Sequence, residues 1–173
     1  GDPKNFPWTM GYQPNYQSEA KIFAAHIMET NPNAKIAILY QNDDYGKDYL
    51  KGFEDGLGEK GKSMIVSKLT YEVTDPTVDS QMVSLKSSGA DTFFNITTPK
   101  FAAQAIKKAA EIGWKPTHYL NSVSASVGSV MTPAGHPEAG FLAVHVLGTN
   151  GKGSVVADLE AAFRAAGLAY GAY

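Results

Sequence analysis

The chain alternates between short apolar runs and stretches in which apolar residues recur every three or four positions. Ala20, Phe23, Ala24, Ile27 and Met28 share one helical face that stops at Asn31-Pro32, since a residue before proline is pushed out of the helical conformation. Residues 35–40 (Lys-Ile-Ala-Ile-Leu-Tyr) are almost continuously apolar, as a strand buried on both faces requires. Polar Gln41-Asn42-Asp43-Asp44 then leads into a helix carrying Tyr49, Leu50, Phe53 and Leu57, ended by Gly61. The pattern repeats: a strand over 64–69, a helix with Val78, Met82 and Leu85, and a strand over 92–96. A further helix with Ala102, Ala105, Ile106 and Ala109 stops near Gly113, followed by a brief strand at His118-Tyr119-Leu120 and a small-residue loop over 121–126. Beyond it the spacing predicts a strand over 141–147, a helix over 152–166 with Val155, Leu159 and Phe163, and a last strand over 168–173.

Strands alternating with helices of this length force crossover connections and hence an α/β fold: a doubly wound, mainly parallel sheet with helices on both faces, a flavodoxin-like or Rossmann-like three-layer sandwich. The expectation is one domain, in which residues 143–173 complete the sheet begun by residues 1–142. Ligands of such sheets bind outside the carboxyl ends of the strands. That rule selects the loops 41–45, 70–76, 97–99 and 121–124. They offer hydroxyls, amides and Tyr45, but no Ser/His/Asp or Cys/His arrangement, so hydrogen bonding to a small polar ligand is expected and catalysis is not.

Composition narrows the partners. The 173 residues are 43% hydrophobic and 18% charged, with a net charge of −2, so no basic field exists to hold nucleic acid. Cysteine is absent, which removes disulfides and thiolate chemistry, and the four histidines are scattered without metal-ligand spacing. No stretch approaches the roughly 20 apolar residues of a membrane span, and the opening GDPKNFPWTM carries no signal-peptide pattern.

Several motifs occur in order over residues 6–142: Phe6-Pro7-Trp8-Thr9-Met10-Gly11-Tyr12 with Tyr16-Gln17-Ser18-Glu19; Ile36-Ala37-Ile38-Leu39-Tyr40-Gln41-Asn42-Asp43-Asp44-Tyr45-Gly46-Lys47-Asp48; Gly89-Ala90-Asp91; and Glu138-Ala139-Gly140-Phe141. This region resembles the second lobe of the type I, leucine/isoleucine/valine-type periplasmic solute-binding proteins of ABC importers. The resemblance implies a periplasmic parent that closes on its ligand together with a first lobe and delivers it to an ABC permease. It places Tyr45 as an aromatic cover over the ligand, Thr97 and Thr98 along the cleft, and Asn121, Ser122 and Ser124 in the stretch that offers an acid to the ammonium of amino-acid ligands. No Asp or Glu lies between Asn121 and Val127, so an ammonium would meet no countercharge from that loop. The opening segment is most similar to members that take up aromatic acids.

The tail suggests something else. An apolar run opens into Gly148-Thr149-Asn150-Gly151-Lys152-Gly153-Ser154 and then into a helix, so backbone N–H groups and Lys152 could cradle an anion and Ser154 could reach a magnesium ion. This stretch resembles the phosphate loop of folylpolyglutamate synthase and the Mur ligases, whose parents are cytoplasmic. The general P-loop pattern is not met, because Val146 stands at its first glycine and Gly153 separates Lys152 from Ser154. Three readings follow: an engineered or recombined chimera joined near residues 140–144, without enzymatic activity; a phosphate- or nucleotide-binding module; and a small-molecule receptor lobe. No cofactor is required by any of them, with phosphate or ATP and magnesium held weakly if the loop is functional.

Overall fold

A computed structural model describes residues 2, 4–9, 11 and 13–135, and the described elements belong to one compact unit that closes at Gly135. Helix α1 (Tyr16–Thr30) starts where the Asn15 side chain accepts a hydrogen bond from Ser18 N at 2.8 Å. There follow β1 (Ile36–Gln41), α2 (Asp44–Lys62), β2 (Ile65–Tyr71), α3 (Asp79–Ser87), β3 (Thr92–Ile96), α4 (Pro99–Glu111) and β4 (Thr117–Leu120). The sheet order is β2-β1-β3-β4 and every pairing is parallel. The chain moves outward from β1 to β2, crosses back to β3, and continues to β4. Its direction of winding therefore reverses between β1 and β3, which marks the switch point of an open α/β sheet.

Alternation along the central strands builds two cores. Ile36, Ile38, Phe94 and Ile96 face α1 and α2, packing with Ala20, Ala24, Ile27, Tyr49 and Phe53. Ala37, Leu39 and Phe93 face the opposite way, toward Val78, Met82 and Leu85 and the α4 residues Phe101, Ala105 and Ala109. Phe94 is fully buried, its ring 4.7 Å from that of Phe53 and 5.1 Å from that of Phe23. Helices α1 and α2 approach closely because α2 presents Gly52 and Gly56 to its neighbour. A Cβ on Gly52 would stand 2.4 Å from Gln17 Cα, and one on Gly56 would stand 2.8 Å from Ala24 Cβ.

Several boundaries differ from the sequence expectation. Strand β2 extends to Tyr71, two residues past the predicted end, because parallel pairing with β1 carries Thr70 and Tyr71 along Tyr40 and Gln41. Helix α2 breaks its helical geometry at Gly58 (φ 65°, ψ −177°), a backbone setting that glycine adopts without strain, and so does not run evenly to Gly61. The predicted loop 121–126 contains a 3-10 turn, Ser122–Ser124, and leads into a π-helical turn, Val127–Met131, which buries Val130 and Met131 beside Ala102 and Ala103 of α4. The strands and helix expected within 141–173, and the division expected at 142/143, lie outside the described residues.

Candidate functional site

The loops at the carboxyl ends of the strands meet around three sets of polar side chains. The first is centred on the backbone carbonyl of Thr97, just past β3. It accepts hydrogen bonds from Tyr45 Oη at 3.1 Å, Asn121 Nδ2 at 2.9 Å and Ser124 Oγ at 2.5 Å. Asn121 Nδ2 also donates to Asn95 O at 2.9 Å, its Oδ1 caps Ser124 N, and Thr97 Oγ1 donates to Asn95 Oδ1 at 2.6 Å. Asn95, Thr97, Asn121 and Ser124 are all fully buried, so these polar atoms satisfy one another instead of facing solvent.

The second set spans the switch point. Gln41 Oε1 accepts from Tyr71 Oη at 2.9 Å and Thr98 Oγ1 at 3.3 Å, while Thr98 N donates to Tyr71 Oη at 3.0 Å. Gln41 Nε2 bonds Asp43, whose other oxygen accepts from Gly46 N at 3.0 Å and caps α2. Position 46 takes glycine alone without a backbone shift, since any Cβ there would sit 1.9 Å from Gln41 O.

The third set lies at the start of α1. Glu19 Oε2 accepts from Tyr49 Oη at 2.9 Å and Ser122 Oγ at 2.7 Å, and Glu19 Oε1 accepts from Ser122 N at 2.8 Å. Beside it Tyr16, Tyr45 and Tyr49 form a ring cluster, with Tyr16 stacked on Tyr49 at 4.9 Å and Tyr45 edge-on to both. Burial raises the phenols of Tyr45, Tyr49 and Tyr71 above their ordinary value, and the charge of Glu19 adds to the effect at Tyr45 and Tyr49. All three therefore serve as neutral hydroxyls.

On the far face, Asn95 Nδ2 lies 3.2 Å from His118 Nε2, and the His118 ring packs 4.8 Å from Phe93. Burial pushes this imidazole down to about 4, which keeps it neutral at physiological pH and able to accept from the Asn95 amide. Among the described residues no group of three or more His, Cys, Asp or Glu converges to hold a metal ion, and no helix is long and apolar enough to cross a membrane.

Of the residues selected from sequence, Thr97, Asn121 and Ser124 come together in one buried set into which the half-buried Tyr45 donates, Thr98 belongs to the neighbouring one, and Ser122 stands on the surface against Glu19. Gly148, Thr149, Asn150, Gly151, Lys152, Gly153 and Ser154 lie outside the described residues. Gln41 and Tyr71 fall within the selected loops 41–45 and 70–76, though neither was given a role, and the structure makes them the last residues of the adjacent strands β1 and β2. Sequence reasoning missed Glu19 and Asn95. Asn95 and Glu19 carry no local signal, one being a polar residue inside a strand and the other an ordinary acid in a first helical turn.

The family described as "Periplasmic binding protein" matches residues 1–172 in one span. That span runs without a break across the position near residue 142 where the tail was expected to join from another family, and so gives no support to a join with a second family. The Leu/Ile/Val-binding protein homolog 7 of Brucella suis biovar 1 (strain 1330) is 29% identical over 97 residues, which are 56% of this chain and 24% of that protein. The chain thus spans about a quarter of the length of the curated relatives it matches. Among solved structures, a substrate-binding periplasmic protein from Ralstonia solanacearum superposes with a TM-score of 0.61 at 24% identity, covering 69% of this chain and 33% of that one. A fatty acid ABC transporter substrate-binding protein from Thermomonospora curvata gives 0.59 at 22% identity, covering 69% and 31%. The parallel sheet, its switch point and the family match over nearly the whole sequence agree, and the chain belongs to the periplasmic binding protein family.

Proposed function

We propose that the chain is a ligand-holding lobe of a solute receptor of an ABC importer, working in the periplasm by reversible binding without catalysis. One observation carries this reading: hydroxyl, amide and tyrosine side chains are gathered at the carboxyl edge around the β1/β3 switch point, where an open α/β sheet binds its ligands. The buried sets around Thr97 and Gln41 act as a rigid floor, and Tyr16, Tyr45 and Ser122 supply the surface that a small molecule meets. A partner lobe covers the ligand from the other side, and the closed pair is what an ABC permease receives. One lobe buries too little of a ligand for tight binding, since closed pockets cover about 70 to 90% of it, so this chain alone should bind in the millimolar range.

The test is a two-dimensional amide NMR titration with L-leucine and sodium benzoate. Shifts confined to loops 41–45, 97–98 and 121–124 support the reading; shifts scattered over the surface, or none up to tens of millimolar, reject it.

A second reading keeps Gly148 to Ser154 as a weak phosphate or ATP–magnesium loop, with Ser154 toward the metal. It rests on the sequence of those seven residues, and the family match across them counts against it. Sulfate binding that weakens with salt and disappears in Lys152→Ala would support it.

A further inference from the structure

We propose that Tyr45 is a releasable latch: its hydroxyl fastens the start of α2 to the Thr97 carbonyl and can be withdrawn to solvent while Asn121 and Ser124 keep that carbonyl paired. The inference goes beyond the receptor-lobe reading and does not depend on it.

A backbone carbonyl oxygen has two lone pairs. Thr97 O receives three donors, Ser124 Oγ at 2.5 Å, Asn121 Nδ2 at 2.9 Å and Tyr45 Oη at 3.1 Å, so one donor is in excess. The longest of the three bonds is the tyrosine's. Exposure ranks the donors in the same way, since Asn121 and Ser124 are fully buried and Tyr45 is half-buried. If Ser124 Oγ left the carbonyl, a buried hydroxyl would lose its partner out of reach of water. Asn121 is held further, by the bond from its Nδ2 to Asn95 O and by the bond its Oδ1 accepts from Ser124 N. Tyr45 Oη makes no second bond among the described residues and can exchange the carbonyl for water.

The ring need not move for this. Tyr16 and Tyr49 hold it edge-on at 5.1 and 5.3 Å, so release is a turn of the O–H bond about Cζ–Oη. Burial keeps the phenol neutral, and the hydroxyl therefore always carries the proton it donates. The neighbouring tyrosines differ in both respects that matter. Tyr49 and Tyr71 are buried, and their acceptors are not over-subscribed: Glu19 spreads three donors over two carboxylate oxygens, and Gln41 Oε1 takes two. Tyr71 Oη is also pinned by the bond it accepts from Thr98 N at 3.0 Å. The Tyr45 bond joins the first turn of α2 to the loop after β3 across 52 residues of sequence. Opening it lets that turn adjust while the buried set around Thr97 stays fixed.

The experiment uses the full chain at pH 7 in equal parts of light and heavy water, with tyrosine labelled with carbon-13 at Cζ. A hydroxyl proton that exchanges slowly splits the Cζ signal into protonated and deuterated lines, and one that exchanges quickly leaves a single line. Tyr45 should give a single line, and Tyr49 and Tyr71 should be split. Ser124→Ala removes the excess donor and should slow exchange at Tyr45 about fivefold. In urea unfolding, Tyr45→Phe should leave the midpoint within about 0.2 M of the parent, and should lower it by about 0.5 M in the Ser124→Ala background. Should Ser124→Ala fail to fold, the lines of the parent and the Tyr45→Phe midpoint decide alone. A split Tyr45 line in the parent, exchange that Ser124→Ala does not slow, or an equal midpoint loss from Tyr45→Phe in both backgrounds overturns the inference. None of these measurements uses a ligand, so their failure leaves the receptor reading to its own titration.

Discussion

Replacing Gly52 by alanine tests the helix crossing that supports the site. In isolation the change should stabilise α2 by about 1 kcal/mol, because alanine is the better helix former. The added methyl, however, would lie 2.4 Å from both Gln17 Cα and Gln17 O and 2.8 Å from Gln17 C, all backbone atoms of α1. No rotamer change relieves that contact, so α1 must move away from α2 by roughly 1 Å to restore ordinary van der Waals distances. Overpacking of this kind costs about 1 to 3 kcal/mol, and a rigid backbone neighbour puts it toward the upper end, leaving a net loss of about 1 to 2 kcal/mol. With a urea dependence of about 2 kcal/mol per molar, the midpoint followed by circular dichroism should fall by roughly 0.5 to 1 M. The same displacement would pull Glu19 and Tyr16 of α1 away from Tyr49 of α2, so amide exchange at Ser122 should rise. Gly56→Ala, whose nearest neighbours are the Ala24 side chain at 2.8 Å and Lys21 Cα at 3.0 Å, should cost less. A Gly52→Ala protein as stable as the parent would refute the packing argument.

Three further outcomes follow from the same structure. Phe94→Ala empties the centre of the α1/α2-facing core and should cost about 3 to 5 kcal/mol in denaturant unfolding. His118 is neutral in the folded chain with its titration lowered from 6.5 to about 4, so its contribution is complete above pH 6.5 and is lost as the pH falls from 6.5 to 4. That loss is at most about 3 kcal/mol, and urea midpoints at pH 7 and pH 4.5 should converge in His118→Gln relative to the parent. Asn121→Ala leaves the buried carbonyls of Asn95 and Thr97 each short of a donor and should cost about 2 to 4 kcal/mol, with faster amide exchange over 121–126 as the local readout.

The parallel α/β architecture was legible because its signals are local. The continuous run at Ile36–Gln41, the i, i+4, i+7 spacing of Val78, Met82 and Leu85, and the five-residue strand Thr92–Ile96 each declare their element within a few residues. Boundaries failed where tertiary contacts set them: β2 lengthens only because β1 lies beside it, and the π-helical turn at Val127–Met131 forms where α4 offers Ala102 and Ala103 to cover Val130 and Met131.

The site was legible as an address and not as a wiring pattern. The rule that ligands gather at strand carboxyl ends led to Tyr45, Thr97, Asn121 and Ser124, and the fold does bring these together. It could not foresee that they turn inward onto the Thr97 carbonyl, or that Glu19 would reach Ser122. By itself the sequence determined the order of helices and strands and the faces they bury, since hydrophobic periodicity is a property of neighbouring residues. Only the tertiary structure decided which polar atom pairs with which, because bonds across 24 to 103 residues depend on strand order and on the α1/α2 crossing distance, and no local pattern encodes either.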